Sequence, residues 1–363
     1  MNDVFKDPIP EGDHRVMASA LKEDAAQLDG SVILITGASG LFGAWLIQCI
    51  DGLNKSLAIS IKMVLLARSG EVLTKRLAEW DVDAGSVEIV LGSLEDLSML
   101  EHLSWTPTHI IHAASLPNVA NSKSWCRDHI VSSFSGFDTL IQYAYSWSVE
   151  SVLLTSSGAR YQMPDIASLN DRRFVEEATI SGGARDREIY GETKRLLEYM
   201  ADCEGTRLDV RIPIARCFAF IGPYLNLHAN YAAGNFMADR LNETEITISG
   251  DGRAVRSYLY LADLAIWLLK VLLHGEHGKA YNVGGEQGHS IKKIAEIIAT
   301  VDVEPPKKAV RVNIKGQAGT APENIYLPDL ERTKQDLNCS ESFDFETAVQ
   351  RTLTWYGKVK SGL

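Results

Sequence analysis

The pattern of apolar and polar positions along the chain predicts strands and helices in alternation. Short apolar runs that end in glycine or polar residues are typical of strands buried in a parallel sheet. Such runs lie at Val32–Thr36, Lys62–Ala67, Val87–Leu91, His109–Ala113, Ser151–Thr155 and Val210–Arg216. Helical spacing separates most of them, beginning at Leu41–Ile50. This alternation predicts an α/β fold of the Rossmann type, with a doubly wound parallel sheet.

The domain organisation follows from where this alternation starts and stops. Residues 1–28 form a polar N-terminal extension, and residues 29–216 carry the sheet pattern. From 217 to 363, proline, glycine and asparagine are frequent and the helices are less regular, which predicts mainly a smaller α/β lobe. A segment near 256–275 again has the pattern of a core strand and helix, so we expect it to return to the sheet domain and to interleave the two regions.

Composition narrows the classes of function. The 363 residues are 45% hydrophobic and 23% charged, the balance of a soluble globular protein. A net charge of −11 argues against a nucleic-acid partner, although a few arginines and backbone amides can still bind a small anion. The apolar stretch Leu264–Leu273 is too short for a membrane span, and the first residues lack the pattern of a signal peptide. We expect a cytoplasmic protein without a membrane partner.

Cysteines and histidines do not predict a metal site. The five cysteines are odd in number, widely spaced and never in a CxxC pair, which indicates buried free thiols in a reducing compartment. His274 and His277 have no third ligand nearby in the sequence, so we expect a solvated turn. His112 precedes two alanines on a buried strand, and we expect it to pack in the core.

A glycine-rich turn follows the first strand directly and precedes the first helix. Glycines there let the backbone approach a pyrophosphate, and the helix N-terminus offers free N–H groups to that anion. A glycine-rich connection that merely turns is the alternative, but its place in the first βαβ unit favours dinucleotide binding. The predicted cofactor-binding residues of this turn are Gly37, Ser39, Gly40, Leu41, Phe42 and Gly43.

The residue after the second strand bears on which cofactor binds. A carboxylate there hydrogen-bonds the ribose 2′-OH of NAD, while an arginine accommodates the 2′-phosphate of NADP. This chain has Arg68 and no acid at that place, which favours NADP over NAD. The alternative is that Arg68 is a solvated loop residue and NAD binds through other contacts.

Tyr190 and Lys194 form a Tyr-x-x-x-Lys pair at the start of a helix. The i, i+4 spacing places both on one helical face, and an ammonium beside a phenol favours the phenolate. Such a pair can act as acid or base near neutral pH. Thr155, Ser156 and Ser157 end a strand, and hydroxyls at that edge of a doubly wound sheet point into the ligand crevice. A helix cap or ST-turn is the alternative for these hydroxyls.

In this order the motifs resemble the extended short-chain dehydrogenase/reductases, in the NAD-dependent epimerase/dehydratase group that acts on nucleotide sugars. The matching segments run from about residue 30 to 300: Thr36–Gly43, His112–Ala114, Thr155–Gly158, Tyr190–Lys194, Arg216 with Gly222-Pro223, Gly252–Tyr258 and Tyr281–Gly285.

The resemblance implies a role for each matching residue. Ser157 corresponds to the catalytic serine, Tyr190 to the acid/base and Lys194 to the lysine that binds the ribose. Arg256 would contact the diphosphate of a nucleotide sugar, which a guanidinium fork suits. Arg216 is a second candidate, although strand-end arginines often only pair with a carboxylate. The remaining implied contacts are Ala113 and Ala114 to the cofactor, and Ser115 and Ser157 to the substrate. Asn118 lies next to the expected sugar pocket, where it either contacts sugar hydroxyls or is a solvated loop residue. A homodimer built on two helices per subunit is also implied. Apolar positions in Phe134–Trp147 and Leu196–Met200 could form its interface, or could equally be core.

The two residues after Ser157 narrow the reaction. The 4,6-dehydratases that this chain resembles place Asp-Glu directly after the catalytic threonine, and the UDP-glucuronate decarboxylases place a glutamate two residues after theirs. Here Gly158 and Ala159 stand instead, and neither can transfer a proton. We therefore expect hydride chemistry alone, in a C4 epimerase or in an NADPH-dependent 4-ketoreductase, with the epimerase ahead.

Two further alternatives differ in class. A reductase of a non-nucleotide carbonyl would not need Arg256 or the loop Gly250–Arg253. A non-catalytic sensor of NADP would be expected to lack Tyr190 or Lys194, and both are present.

Overall fold

A seven-stranded parallel sheet forms the centre of the molecule in a computed structural model, which describes residues 5, 7–114, 125–161, 173–178, 189–229, 231–317 and 324–361. The described residues also form three smaller sheets. In chain order the strands of all four sheets are β1 Val32–Thr36, β2 Lys62–Ala67, β3 Val87–Leu91, β4 His109–His112, β5 Ser151–Ser157, β6 Ile214–Cys217, β7 Phe220–Ile221, β8 Ile246–Ile248, β9 Val255–Arg256, β10 Leu259–Tyr260, β11 Ala280–Val283, β12 His289–Ser290, β13 Val312–Ile314 and β14 Ile325–Tyr326.

The strand order of the large sheet is β11-β6-β5-β4-β1-β2-β3, and every neighbouring pair is parallel. The order reverses between β1 and β4, and ligands of doubly wound sheets bind at such a switch point, at the carboxyl ends of the strands. The predicted fold class, a Rossmann-type doubly wound sheet, is confirmed.

Helices cover both faces of the sheet, and further helices lie in the smaller lobe. In chain order the helices are α1 Glu11–Ala20, α2 Lys22–Ala25, α3 Leu41–Leu57, α4 Gly70–Glu79, α5 Trp125–Ser146, α6 Ile189–Leu208, α7 Ala232–Leu241, α8 Leu261–His274, α9 Ile291–Thr300, α10 Glu331–Leu337 and α11 Phe345–Ser361. Ile33 and Ile35 pack in the core on the side of α3 and α8, while Val32 and Leu34 pack on the side of α5 and α6. Two-sided burial explains why the strands are continuously apolar. No helix in these ranges has the length and apolarity needed to cross a bilayer.

The structure corrects three expectations. The strand predicted at Val210–Arg216 begins at Ile214, because α6 continues to Leu208 and Pro213 has no N–H to donate to a neighbouring strand. The returning segment is longer than 256–275, since β11 also pairs with β6 in the large sheet. Cys49, Cys217 and Cys339 are buried as expected, but Cys203 is exposed.

The smaller lobe consists of short strands with α7 and α9. β8 pairs with β13, and β9 lies between β12 and β14. This arrangement places β9 and β14, from distant parts of the chain, next to one another.

The N-terminal extension is an integral part of the sheet domain. Its helix α1 packs on α3 and α8. Asp13 of α1 is fully buried, where it accepts a hydrogen bond of 2.8 Å from the Tyr260 hydroxyl and pairs with Arg351 of α11. Burial raises the pKa of Asp13 above its usual range. Through Asp13 the extension is therefore joined to α11.

Candidate active site

The glycine-rich turn has a geometry that only glycine permits at two positions. Gly37 has φ +73°, and a Cβ on it would lie 2.8 Å from the backbone nitrogen of Ala114. A Cβ on Gly43 would lie 2.5 Å from the carbonyl oxygens of Gly37 and Ala38. The turn is thus pressed against both β4 and the first turn of α3, whose N-cap is Gly40. The residues present fit a dinucleotide, since the first turn of a helix has N–H groups without an intrahelical acceptor, and Gly40, Leu41 and Phe42 at this turn line a cavity.

Two adjoining cavities share Gly37, Gly40 and Ala113. The larger, called the main cleft, has a volume of about 390 Å³, and its lining includes Leu41, Phe42, Ser157, Tyr190 and Lys194. The smaller, called the side cavity, measures about 180 Å³ and is lined in part by Ser39, Arg68, Glu95 and Ala114. The structure thus brings the predicted cofactor-binding residues together around one turn, with Gly43 buried inside it.

His112 supports the turn from inside the protein. Its Nδ1 lies 2.9 Å from Oγ1 of Thr36, and the same Oγ1 accepts a hydrogen bond of 3.1 Å from the Ala114 N–H. Burial lowers the pKa of His112 to about 3, and the charge of Lys194 acts in the same direction. The sequence predicted a packed core histidine, and the structure shows that it is packed and neutral.

The three hydroxyls that end β5 have different partners. Thr155 donates to the carbonyl oxygen of His112 at 2.9 Å, and Ser156 donates to the Glu198 carboxylate at 2.5 Å. Ser157 accepts a hydrogen bond of 3.2 Å from the Ala159 N–H and lines the main cleft together with Tyr190. All three residues line the main cleft, but the hydroxyls of Thr155 and Ser156 donate to protein acceptors. Contact with a substrate stays a prediction for Ser157.

One face of α6 holds the ends of β5 and β6. Tyr190, Lys194 and Glu198 lie on it at i, i+4 and i+8. Lys194 is 4% exposed and donates to the Thr155 carbonyl at 2.9 Å, with its Nζ 5.8 Å from the centre of the Tyr190 ring. The lysine thus fixes the helix to the strand that carries Ser157, and its charge lies beside the phenol.

Arg216 corrects a sequence expectation. Its Nε and Nη2 donate to the Glu198 carboxylate at 3.0 and 2.8 Å, and its Nη1 donates to the Tyr161 hydroxyl at 2.9 Å. The side chain is buried, and a second arginine, Arg160, also pairs with Glu198 at 3.3 Å. Arg216 is therefore committed to a buried ion cluster and not to a substrate. Glu198 was missed by sequence reasoning, although its i+8 spacing from Tyr190 was visible.

Arg256 lies on β9 in the smaller lobe. Its Nη1 donates to the carbonyl oxygens of Val255 and Asn324 at 2.7 and 2.8 Å, and its guanidinium lies 5.9 Å from the centre of the Tyr326 ring. Contact with a diphosphate stays a prediction for this residue. Ser115 and Asn118, the other expected substrate contacts, lie outside the described residues.

Tyr326 of β14 is a site residue that sequence reasoning missed. Its ring packs on Phe218 of the main cleft with centres 4.8 Å apart. A Cβ added to Gly158 would overlap the Tyr326 hydroxyl and would lie 3.0 Å from the Phe218 ring. Burial raises the pKa of Tyr326 above its usual range, and the nearby Tyr190 adds to the shift. A protonated phenol therefore occupies the space next to Ser157 where a side chain of residue 158 would lie.

A comparison with protein-family models matches residues 33–284 to the NAD-dependent epimerase/dehydratase family. Among curated proteins, UDP-glucuronic acid decarboxylase 1 of Arabidopsis thaliana is 26% identical over 169 residues, which are 47% of this chain and 38% of that protein. The chain also spans less than half the length of three further decarboxylases that it matches.

Solved structures of similar fold come from enzymes named for two different reactions. UDP-N-acetylglucosamine 4-epimerase of Methanobrevibacter ruminantium has a TM-score of 0.73 at 17% identity, covering 92% of this chain and 99% of its own. dTDP-glucose 4,6-dehydratase of Bacillus anthracis, solved in complex with NAD, has a TM-score of 0.69 at 18% identity, covering 91% and 98%. At these identities the likeness shows the fold.

Proposed function

The chain belongs to the NAD-dependent epimerase/dehydratase family, and on this premise we propose that it is a nucleotide-sugar epimerase that acts at a sugar carbinol, at C4. One observation carries the proposal. Within the described part of the chain, Ser157, Tyr190 and Lys194 line the main cleft beside the glycine-rich turn, and no carboxylate lines it. Among the described residues, the lining thus offers a proton-transfer group for a carbinol and no carboxylate for chemistry at neighbouring carbons.

Each of these residues has a distinct task in the proposed reaction. A nicotinamide dinucleotide, when bound, supplies hydride chemistry. Tyr190 accepts the proton of the C4 hydroxyl as hydride leaves C4, so that a ketone forms, and returns the proton when hydride arrives on the other face. Lys194 stabilises the phenolate, and the Ser157 hydroxyl hydrogen-bonds the sugar oxygen as its charge changes.

The close approach of Tyr326 to Gly158 supports an epimerase over a 4,6-dehydratase. The dehydratases place a carboxylate directly after the catalytic hydroxyl residue, and here the Tyr326 hydroxyl fills the space where the side chain of residue 158 would begin. For a decarboxylase, the argument rests on Ala159 in place of the glutamate. The curated relatives include both a decarboxylase and a dehydratase. We propose that this chain differs from them in its reaction while sharing their fold and cofactor turn.

An NADPH-dependent 4-ketoreductase is the second candidate, and Arg68 favours it. Arg68 lines the side cavity near Ser39, where a 2′-phosphate of NADP would gain a charged hydrogen bond. Glu95 lines the same cavity, and a carboxylate there suits the 2′-OH of NAD. The cavity therefore has a group for either cofactor. We propose NADP on the strength of Arg68.

The experiment that separates these candidates is to denature purified protein and identify the nucleotide that is released. An epimerase regenerates its cofactor within each turnover and is expected to release retained, oxidised nucleotide. A reductase exchanges its cofactor and is expected to release none, yet to bind added NADPH. Turnover is then measured on UDP-, dTDP-, CDP- and GDP-sugars. A protein that binds the cofactor but converts none of these sugars supports the non-catalytic sensor.

We also propose that the protein is a homodimer. Apolar side chains are exposed on the outer faces of α5 and α6, where a helix pair from a second copy could cover them: Ile130, Val131, Tyr145, Leu196 and Tyr199. Light scattering is expected to give twice the 40.0 kDa of the chain. A monomeric mass at micromolar concentration would contradict the proposal.

The overlap between residue 158 and Tyr326 leads to a stability prediction. Gly158→Ala is expected to lower the free energy of unfolding by about 1–3 kcal/mol, because the new methyl group meets the Tyr326 hydroxyl. Tyr326→Phe removes that oxygen, so the double variant is expected to recover much of the loss. Urea denaturation of the wild type, both single variants and the double variant measures this coupling. Strictly additive effects would show that the hydroxyl does not occupy this space.

A further inference from the structure

The first described residues of the chain are bound through their backbone by side chains from distant elements. We call Phe5 and Asp7–Ile9 the N-terminal segment. Its carbonyl oxygens accept hydrogen bonds from two indoles and a phenol, and one N–H donates to an amide. The pairs are Trp80 Nε1 to Phe5 at 2.8 Å, Tyr224 hydroxyl to Asp7 at 2.6 Å, Trp355 Nε1 to Pro8 at 2.8 Å, and Ile9 to Oε1 of Gln48 at 3.0 Å.

Phe5 reaches from this segment to an arginine of α4. Its ring stacks on Tyr224 with centres 5.0 Å apart. The Arg76 guanidinium lies 4.1 Å from the centre of the same ring. Arg76 is 8% exposed, so a cation–π contact here is shielded from water and stronger than one at an open surface.

Arg76 in turn holds the glycine-rich turn. Its Nη1 donates a hydrogen bond of 2.8 Å to the carbonyl oxygen of Ser39. The peptide plane that carries this carbonyl also carries the Gly40 N–H, which donates to the Gly37 carbonyl at 2.9 Å. Because a peptide unit is planar, Arg76 and Gly37 together set the orientation of the Ser39–Gly40 peptide. Ser39 and Gly40 both line the side cavity.

We propose that Phe5 and Arg76 are positioning residues for dinucleotide binding, through which the N-terminal segment pre-organises the glycine-rich turn. The proposal rests on the proposed function of that turn as the dinucleotide site. Phe5 restricts the guanidinium to one orientation, the guanidinium fixes the Ser39 carbonyl, and the turn is then held in shape before a ligand arrives. A turn that is already ordered loses less entropy when it binds, so affinity is higher.

The segment lies outside the residues that the family model matches, which begin at residue 33. The match to the family therefore does not rest on this segment. The segment's contribution to binding is indirect, because Phe5 does not line either cavity around the turn. Loss of Phe5 should therefore weaken binding without changing which groups touch the ligand.

The test uses the full chain, freed of any nucleotide retained through purification, and titrates NAD and NADP by calorimetry, with thermal unfolding measured on the same samples. Phe5→Leu, which keeps an apolar side chain but removes the ring, is expected to weaken dinucleotide binding by about three- to tenfold. Phe5→Trp keeps an aromatic face and is expected to bind as the wild type does. Trp105→Leu is a matched control, because it also removes an aromatic ring that lies against a cation. The centre of this ring lies 4.6 Å from Nζ of Lys62, at a site that does not contact the turn. This control variant should leave affinity unchanged.

A double-mutant cycle that combines Phe5→Leu with Arg76→Met shows whether Phe5 acts on dinucleotide affinity through Arg76 or independently of it. In the Arg76→Met background Phe5→Leu is expected to cause no further loss, because its route to Ser39 is already gone. Unchanged affinity in Phe5→Leu, or losses that simply add, would overturn the proposal. If Phe5→Leu does not fold, Arg76→Met alone tests the link to Ser39, and wild-type affinity in that variant would overturn it. A wild-type protein that binds neither nucleotide would instead contradict the proposed function.

Discussion

Tyr190→Phe is expected to abolish turnover while leaving dinucleotide affinity close to that of the wild type. The substitution removes one oxygen and keeps the ring that lines the main cleft. Lys194 keeps its hydrogen bond to the Thr155 carbonyl, so α6 stays fixed to β5. Proton transfer by a positioned side chain contributes about 10²- to 10⁴-fold to a rate, and a loss of that size is expected here.

The measurement compares kcat/KM on the converted sugar with the dissociation constant for the dinucleotide. Tyr231→Phe is a suitable control, since this tyrosine also lines the main cleft and is 67% exposed, at the rim. It should change the rate little. Wild-type turnover in Tyr190→Phe would rule out the proposed mechanism. Equal losses of turnover and affinity would show that the hydroxyl serves binding instead.

The elements of the fold that could be predicted are those encoded by neighbouring residues. β1 and β2 have the predicted bounds, because a strand buried on both faces is a continuous apolar run and its ends are marked locally. β3, a partly buried strand at the edge of the sheet, also has its predicted bounds. The glycine-rich turn and the pairing of Tyr190 with Lys194 were visible for the same reason. Each depends on residues within a few positions of one another.

The features that could not be predicted join distant parts of the chain. Tyr326 meets Gly158, and Asp13 meets Arg351, and no local pattern records either contact. The polar composition of residues 1–28 did not predict that the core would bind this extension. The core holds it by hydrogen bonds to backbone carbonyls, and every residue type has such a carbonyl. For Arg216 the sequence left two alternatives open, a substrate contact or a pair with a carboxylate, because its partner Glu198 lies on another element.

Glu198→Ala is expected to destabilise the protein by about 3–5 kcal/mol, since it leaves buried charge without its partner. Burial disfavours the charged form of Arg216, and the Glu198 carboxylate outweighs burial and raises the pKa of that guanidinium. Without Glu198, Arg216 and Arg160 would face each other, and Ser156 would lose its acceptor.

Glu192→Ala is a matched control for this loss, because Glu192 lies on the same helix and pairs with Arg195 at 2.6 Å near solvent. Both variants replace glutamate by alanine in α6, so the change in helix propensity cancels in the comparison. An ion pair near solvent contributes about 0–1 kcal/mol, and urea denaturation should show that smaller loss for Glu192→Ala. Similar losses in the two variants would contradict the assignment of Glu198 as the counter-ion of a buried cluster. A large loss of stability for Glu198→Ala alone would show that the fold depends on this buried carboxylate, which contacts Ser156 and Arg216 at the ends of β5 and β6.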